Sequence, residues 1–202
     1  MRSIHILMLL SILPLASCEK DNTEPKLPGD IKDIQFIDVR SYTEWTYFSF
    51  EKGEVVEVTD FQDDLSWDIA FHRSDVRLNG GASGKGKAEA VNTNKTDWDA
   101  VTEAPANGYV KDETGKITTA FTGAGTTEED QPFSQTVTGW LTVDTSNPPP
   151  TYTIHNWIYV LKAADGNYVK LQLYDNKDVR NAAAGYVSFK YQYNAGGTTQ
   201  FN

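Results

Sequence analysis

The chain has 202 residues, of which 12% are aromatic, with 28 acidic side chains against 18 basic ones and a net charge of −10. That length suits one domain with long loops, and the acidity argues against nucleic acid or an anionic lipid surface as a partner. A single cysteine, Cys18, excludes an intramolecular disulfide.

Met1-Arg2, the apolar run Ile4 to Leu15 and then Ala16-Ser17-Cys18 form a secretory signal too short to span a bilayer. A cysteine directly after Leu-Ala-Ser makes it a lipoprotein signal over residues 1–17, with Cys18 as the lipidated first residue of the mature chain. Residues 18–30, with Pro25, Pro28 and Gly29, read as a flexible tether, so the lipid is the expected membrane contact and the outer membrane or cell surface the expected location. Cleavage removes both methionines (Met1 and Met8) and His5, leaving His72 and His155 as the histidines of the mature chain.

From residue 31 to 202 the apolar runs are short, aromatic and β-branched, and Gly, Pro, Asn and Asp separate them. They predict strands at Gln35–Val39, Trp45–Glu51, Glu54–Thr59, Leu65–His72, Val76–Leu78, Lys87–Val91, Lys116–Thr122, Val137–Val143, Thr151–Lys162, Tyr168–Tyr174 and Tyr186–Tyr193. Turns are expected at Lys52-Gly53, Thr114-Gly115 and Asp165-Gly166, and short helical turns at Thr96–Val101 and Asn176–Ala183. Thr151–Lys162 carries apolar and aromatic residues on both faces, which predicts burial between two layers. The chain therefore reads as one all-β, mostly antiparallel domain of two packed sheets. Two polar segments, Gly123–Pro132 and Asp144–Pro150, read as long arms.

Leu65, Trp67, Ile69 and Phe71 alternate with Ser66, Asp68, Ala70 and His72, then run into Gly80, Gly81, Gly84 and Gly86. A buried strand entering a loop of four glycines is where a β-protein often builds a site, unless the glycines permit close packing. The loop fails as a phosphate cradle, since Gly follows Lys85 and no helix pattern follows. Ser83, His72 and Asp75 lack the pattern around a nucleophilic serine, and no enzyme is expected. His72, beside Arg73 and Asp75, reads as a hydrogen-bonded structural histidine. His155 shares a strand face with Trp157 and Tyr159, which suits either a core histidine or a ligand.

The run WDIAFHRSDVRLNGGASGKGKAEAV (Trp67 to Val91) resembles the signature block of the HmuY family, haem-binding surface lipoproteins of the Bacteroidetes. The likeness extends to WTYFSFEKGEVVEVTD (Trp45 to Asp60), GWLTV (Gly139 to Val143), PTYTI (Pro150 to Ile154) and AADGNYVKLQ (Ala163 to Gln172). It implies an all-β fold gripping haem b or a related tetrapyrrole between two arms, and transfer of that ligand for iron acquisition, with a TonB-dependent outer-membrane receptor as partner. Family members hold the iron with histidines or methionines of the arms. Here those positions fall within Gly123–Glu128 and at or beside Thr145, where no His, Met, Cys or Tyr stands. The resemblance thus implies atypical or weak axial ligation, with His155 as the candidate iron ligand, Tyr152 and Trp157 as stacking residues, and Thr126, Thr127 and Thr145 near the propionates. An interaction or scaffold lipoprotein that keeps the fold and has lost the haem site is the alternative.

Overall fold

The computed structural model describes residues 26–122 and 125–202; the signal peptide, Cys18 and most of the expected tether lie outside them. Thirteen strands follow in order: β1 Ile31–Asp38, β2 Thr46–Ser49, β3 Glu54–Val56, β4 Ile69–His72, β5 Asp75–Leu78, β6 Glu89–Asn92, β7 Glu113–Thr122, β8 Gly125–Phe133, β9 Leu141–Asp144, β10 Thr151–Ile154, β11 Ile158–Lys162, β12 Tyr168–Lys177 and β13 Ala184–Asn194. One short helix, α1 (Gln135–Thr138), stands where the sequence suggested the start of a strand. The Ser134 side chain caps it, accepting from the Val137 N–H.

Two antiparallel sheets face each other, as the alternating aromatic runs require. One has strand order β1-β13-β12-β11-β6 and the other β3-β2-β4-β5. Between them lie Phe48, Phe50, Ile69 and Phe71 from the smaller sheet, against Tyr159, Leu171, Phe189 and Tyr191 from the larger. Phe48 meets Phe189 edge-on at 5.2 Å, and the Tyr191 hydroxyl donates to the Phe50 carbonyl at 2.9 Å. Both faces of β11 are buried, as expected: Tyr159 and Leu161 look into this core, while Ile158 and Val160 look into a second cluster with Trp98, Val101 and Phe201. Trp98 sits in a short 3-10 turn, Trp98–Ala100, inside the predicted Thr96–Val101.

Several boundaries differ from the sequence reading for identifiable reasons. Thr151–Lys162 is not one strand. It breaks at His155–Trp157, where Asn156 takes φ +54°, so β10 joins β9 and β11 joins the large sheet. Asn is among the few side chains that accept this conformation. The expected helical turn at Asn176–Ala183 is the end of β12 and a bend, held by the Asp178 carboxylate accepting from Ala182 N–H at 2.8 Å. Thr114-Gly115 lies inside β7 rather than at a turn. The last residues of the expected tether already touch the domain: the Gly29 N–H donates to Asn194, and its carbonyl accepts from Gln192.

The glycine-rich loop is packing, not a site. A Cβ on Gly86 would lie 2.2 Å from the Asn79 carbonyl oxygen, and one on Gly81 2.4 Å from that of Asp112. Buried side chains fasten the loop. Asn79 Nδ2 donates to the carbonyls of Asp64 and Trp67, while its Oδ1 accepts from Gly86. Asp112 accepts from the Ser83 hydroxyl at 2.6 Å and the Leu78 N–H at 2.7 Å. Asp68 accepts from Phe50 N–H at 2.8 Å and Ala164 N–H at 2.9 Å, tying the small sheet to the β11–β12 turn of the large one.

Two stability predictions follow from this packing. Gly86→Ala should lower stability by about 2 kcal/mol or more, because the clash is with backbone that cannot rotate away; a denaturant titration checks it. Burial pushes the Asp68 carboxyl up to about 6 and the Asp112 carboxyl up to about 7, against the hydrogen bonds that favour their charged forms. Both groups hold their protons more tightly folded than unfolded. Their contribution is complete below about pH 4, the unfolded carboxylate range, and is lost as pH rises through about 6 and 7. Unfolding free energy should therefore be about 2–4 kcal/mol higher at pH 5 than at pH 8, and Asp112→Asn should flatten that slope.

Candidate functional site

Two hairpins project from the sandwich. In the first, β7 and β8 pair with Phe121 opposite Thr126 and a bulge between Thr118 and Ala120. Most of the segment expected as a loop, residues 125–132, is thus strand. Its backbone groups pair with β7 although neither face of β8 buries enough apolar surface to leave a sequence pattern. In the second hairpin, Val143 pairs with Tyr152 and Leu141 with Ile154, and the Pro-rich segment 145–150 closes it.

Between the hairpins lies an open cleft of about 470 Å³. Ile117 and Phe121 form one wall, Leu141, Val143 and Tyr152 the other; Tyr42, Arg73, Asn176 and Tyr186 also line it. Three large side chains are unusually bare for a folded domain: Phe121 is 68% exposed, Val143 38% and Tyr152 37%. Apolar groups left in water opposite one another fit a flat apolar ligand. Two guanidiniums lie against phenol rings of the cleft: Arg73 at 4.5 Å from the Tyr42 ring centre and Arg40 at 5.1 Å from that of Tyr186. Lys116 also lines the cleft but is paired with Asp130 at 2.9 Å.

Strand parity sorts the residues singled out in the sequence. Thr126, Thr145 and Tyr152 line the cleft. Thr127, one position on from Thr126, lines a different groove on the other side of the β7–β8 hairpin. His155 follows Thr153, on the opposite side of β10 from Tyr152 and Ile154. It stacks on Trp157 at 4.4 Å, and its Nε2 is 2.9 Å from the Thr142 hydroxyl. Neither His155 nor Trp157 lines the cleft. His72 is buried, 5.1 Å from Trp45 and 3.4 Å from Asp75. Sequence reasoning missed Phe121, Val143, Tyr42, Arg73, Asn176 and Tyr186. Phe121, a lone aromatic in a polar stretch, was the one with a readable signal.

The groove beyond β7–β8 is larger, about 680 Å³. Its floor is already occupied by Arg77, which lies 3.9 Å over Trp45 and 4.1 Å over Phe61 and donates to the Pro132 carbonyl. Glu44, Glu57 and Glu129 line its sides. It offers less bare apolar surface than the cleft between the hairpins.

The model of the HmuY protein family matches residues 41–191. A candidate HmuY-like haem-binding protein of Bacteroides vulgatus has the same fold at a TM-score of 0.65 and 28% identity, over 80% of this chain and 90% of that one. A candidate lipoprotein of Bacteroides fragilis matches at 0.66 and 27% identity, over 80% and 88%. The apo HmuY analogue of Tannerella forsythia matches at 0.63 and 24% identity, over 81% and 97%, a likeness of fold alone. No curated protein shows significant similarity to the chain. With three quarters of its length matched and both hairpins inside the match, the chain belongs to the HmuY family.

Proposed function

We propose that this protein carries haem or a related tetrapyrrole in the cleft between its two hairpins and does no chemistry on it. The observation that carries the reading is the set of bare apolar side chains, Phe121, Val143 and Tyr152, lining an open slot. A flat macrocycle placed there covers all three and gains from leaving water. The Bacteroides vulgatus relative, a candidate haem-binding protein, supports the same ligand class.

Proteins hold haem iron with His, Met, Cys or Tyr. Among the described residues no His, Met or Cys lines the cleft, whereas Tyr42, Tyr152 and Tyr186 do. Axial ligation is thus by a phenol or is absent, and most of the affinity comes from stacking and desolvation. Cys18 carries the lipid that holds the domain at the outer membrane or cell surface, and a TonB-dependent receptor is the recipient of the cargo. The lack of imidazole and thioether groups in the cleft also favours the second reading, an interaction lipoprotein without a pigment.

Haemin titration of the chain lacking residues 1–17 separates the two. A shifted Soret band with saturable binding is expected. Phe121→Ala and Tyr152→Ala should each weaken it about tenfold, the worth of one aromatic contact of about 1–2 kcal/mol. His155→Ala should leave it unchanged. A flat titration of the wild type would leave the interaction reading standing. In cells, Cys18→Ala should move the protein from the membrane to the soluble fraction; unchanged membrane retention would contradict the lipid anchor.

A further inference from the structure

The outer edge of the smaller sheet is unpaired and opens onto the larger groove. β3 ends the order β3-β2-β4-β5, so one side of it has no neighbouring strand among the described residues. Main-chain direction identifies the free groups. The Phe48 carbonyl turns toward β4, accepting from the Asp68 N–H at 2.9 Å, and the Ser49 carbonyl turns the other way, accepting from the Gly53 N–H at 2.8 Å. Val55 pairs opposite Phe48, so by the alternation of an antiparallel ladder its own N–H and C=O point away from β2. Beyond β3, the main chain of Glu57, Val58 and Thr59 makes no hydrogen bond among the described residues. An open edge of this kind is a template for another strand.

The groove of about 680 Å³ follows this edge. Consecutive residues Val55 to Thr59 line it, so both strand parities are represented and the groove reaches the backbone rather than one face alone. The β7–β8 hairpin forms another wall, through the alternate residues Thr127, Glu129 and Gln131 of β8. Val55, 48% exposed, leaves apolar surface bare at the groove. Glu44, Glu57 and Glu129 also line it, all exposed, and none forms an ion pair among the described residues. Arg77, the cation of the groove, is 1% exposed and packed against the rings of Trp45 and Phe61, so the surface that a partner meets is acidic.

We propose that β3 and its continuation to Thr59 take up an extended, lysine- or arginine-rich segment of another protein as an added edge strand. Main-chain pairing with Val55 and Glu57 supplies the affinity, and the carboxylates select basic side chains. The site lies on the other side of β7–β8 from the cleft and does not depend on what the cleft carries. A second copy of this chain suits the edge less well, because a net charge of −10 on each copy is repulsive.

The probe is a rhodamine-labelled peptide, Lys-Thr-Lys-Val-Lys-Thr-Lys, blocked at both ends and titrated with the chain lacking residues 1–17 at fixed ionic strength. Saturable binding is expected. The same peptide with Glu in place of every Lys should bind at least about tenfold more weakly, and so should the Lys peptide to a Glu57→Lys, Glu129→Lys double variant, the combined worth of several exposed charge pairs. Circular dichroism establishes that the variant folds. N-methylation tests the backbone pairing without altering charge, on the amides of the Lys residues in one peptide and of the Thr and Val residues in another. One of these two should lose at least about tenfold in affinity and the other less than about threefold, because an added strand presents alternate amides to β3. No saturable binding, equal effects of the two methylated peptides, or binding lost in Phe121→Ala and kept in the double variant would overturn the proposal. Dimers that form in sedimentation experiments and vanish in Glu57→Lys would overturn it too, by assigning the edge to a second copy.

Discussion

The carboxyl of Asp68 accepts one hydrogen bond from Phe50, at the end of β2, and one from Ala164, at the turn joining β11 to β12. It is buried, so removing either partner leaves an unsatisfied group, and the two sheets are held in one relative position. Around it, Asn79 and Asp112 perform the same service for the glycine-rich loop. The signature block is therefore a clasp. Its glycines remove side chains where backbones must touch, and its polar residues bind the backbone groups that a loop would otherwise leave unpaired. The apolar walls of the cleft stand outside this clasp, on hairpins that contribute little to the main core, while Arg73, Ser74 and Asp75 of the block line the cleft as well.

That division explains the surface chemistry of the hairpins. A domain stabilised by the aromatic seam of Phe48, Phe71, Phe189 and Tyr191 can leave Phe121 and Tyr152 in water. Apolar groups exposed in this way gain free energy only when covered. Their opposition across a slot, rather than their number, distinguishes them from scattered surface hydrophobes such as Leu65 or Leu27. Arg73 links the two parts of the molecule. It is the residue directly after β4, held by the main-chain turn that closes β4 onto β5, and it lines the cleft.

Much of the sandwich was legible in the sequence because burial writes a period. Ile69 and Phe71 alternate inward, Asp165-Gly166 closes its hairpin, and both faces of Ile158–Lys162 are buried as their composition demands. What the sequence concealed follows from the same rule. The strand Gly125–Phe133 is wet along most of its length, so pairing with β7 leaves no hydrophobic signature. The break at Asn156 is a single backbone choice within an unbroken apolar run, and it decides which way His155 faces. The family likeness located the two arms but could not say which side of each strand meets the other. Parity on the folded hairpins answers that for Thr126 against Thr127 and for Tyr152 against His155.

The account reduces to the claim that one slot, walled by Phe121 on one hairpin and Tyr152 on the other, receives a planar pigment. A crystal structure of the chain lacking residues 1–17 grown with haemin tests it most directly. The account predicts density for the macrocycle flat between β7–β8 and β9–β10, with no bond from His155 to the iron. Haemin bound to His155 on the outer side of the second hairpin, or in the groove beside Trp45, would contradict it.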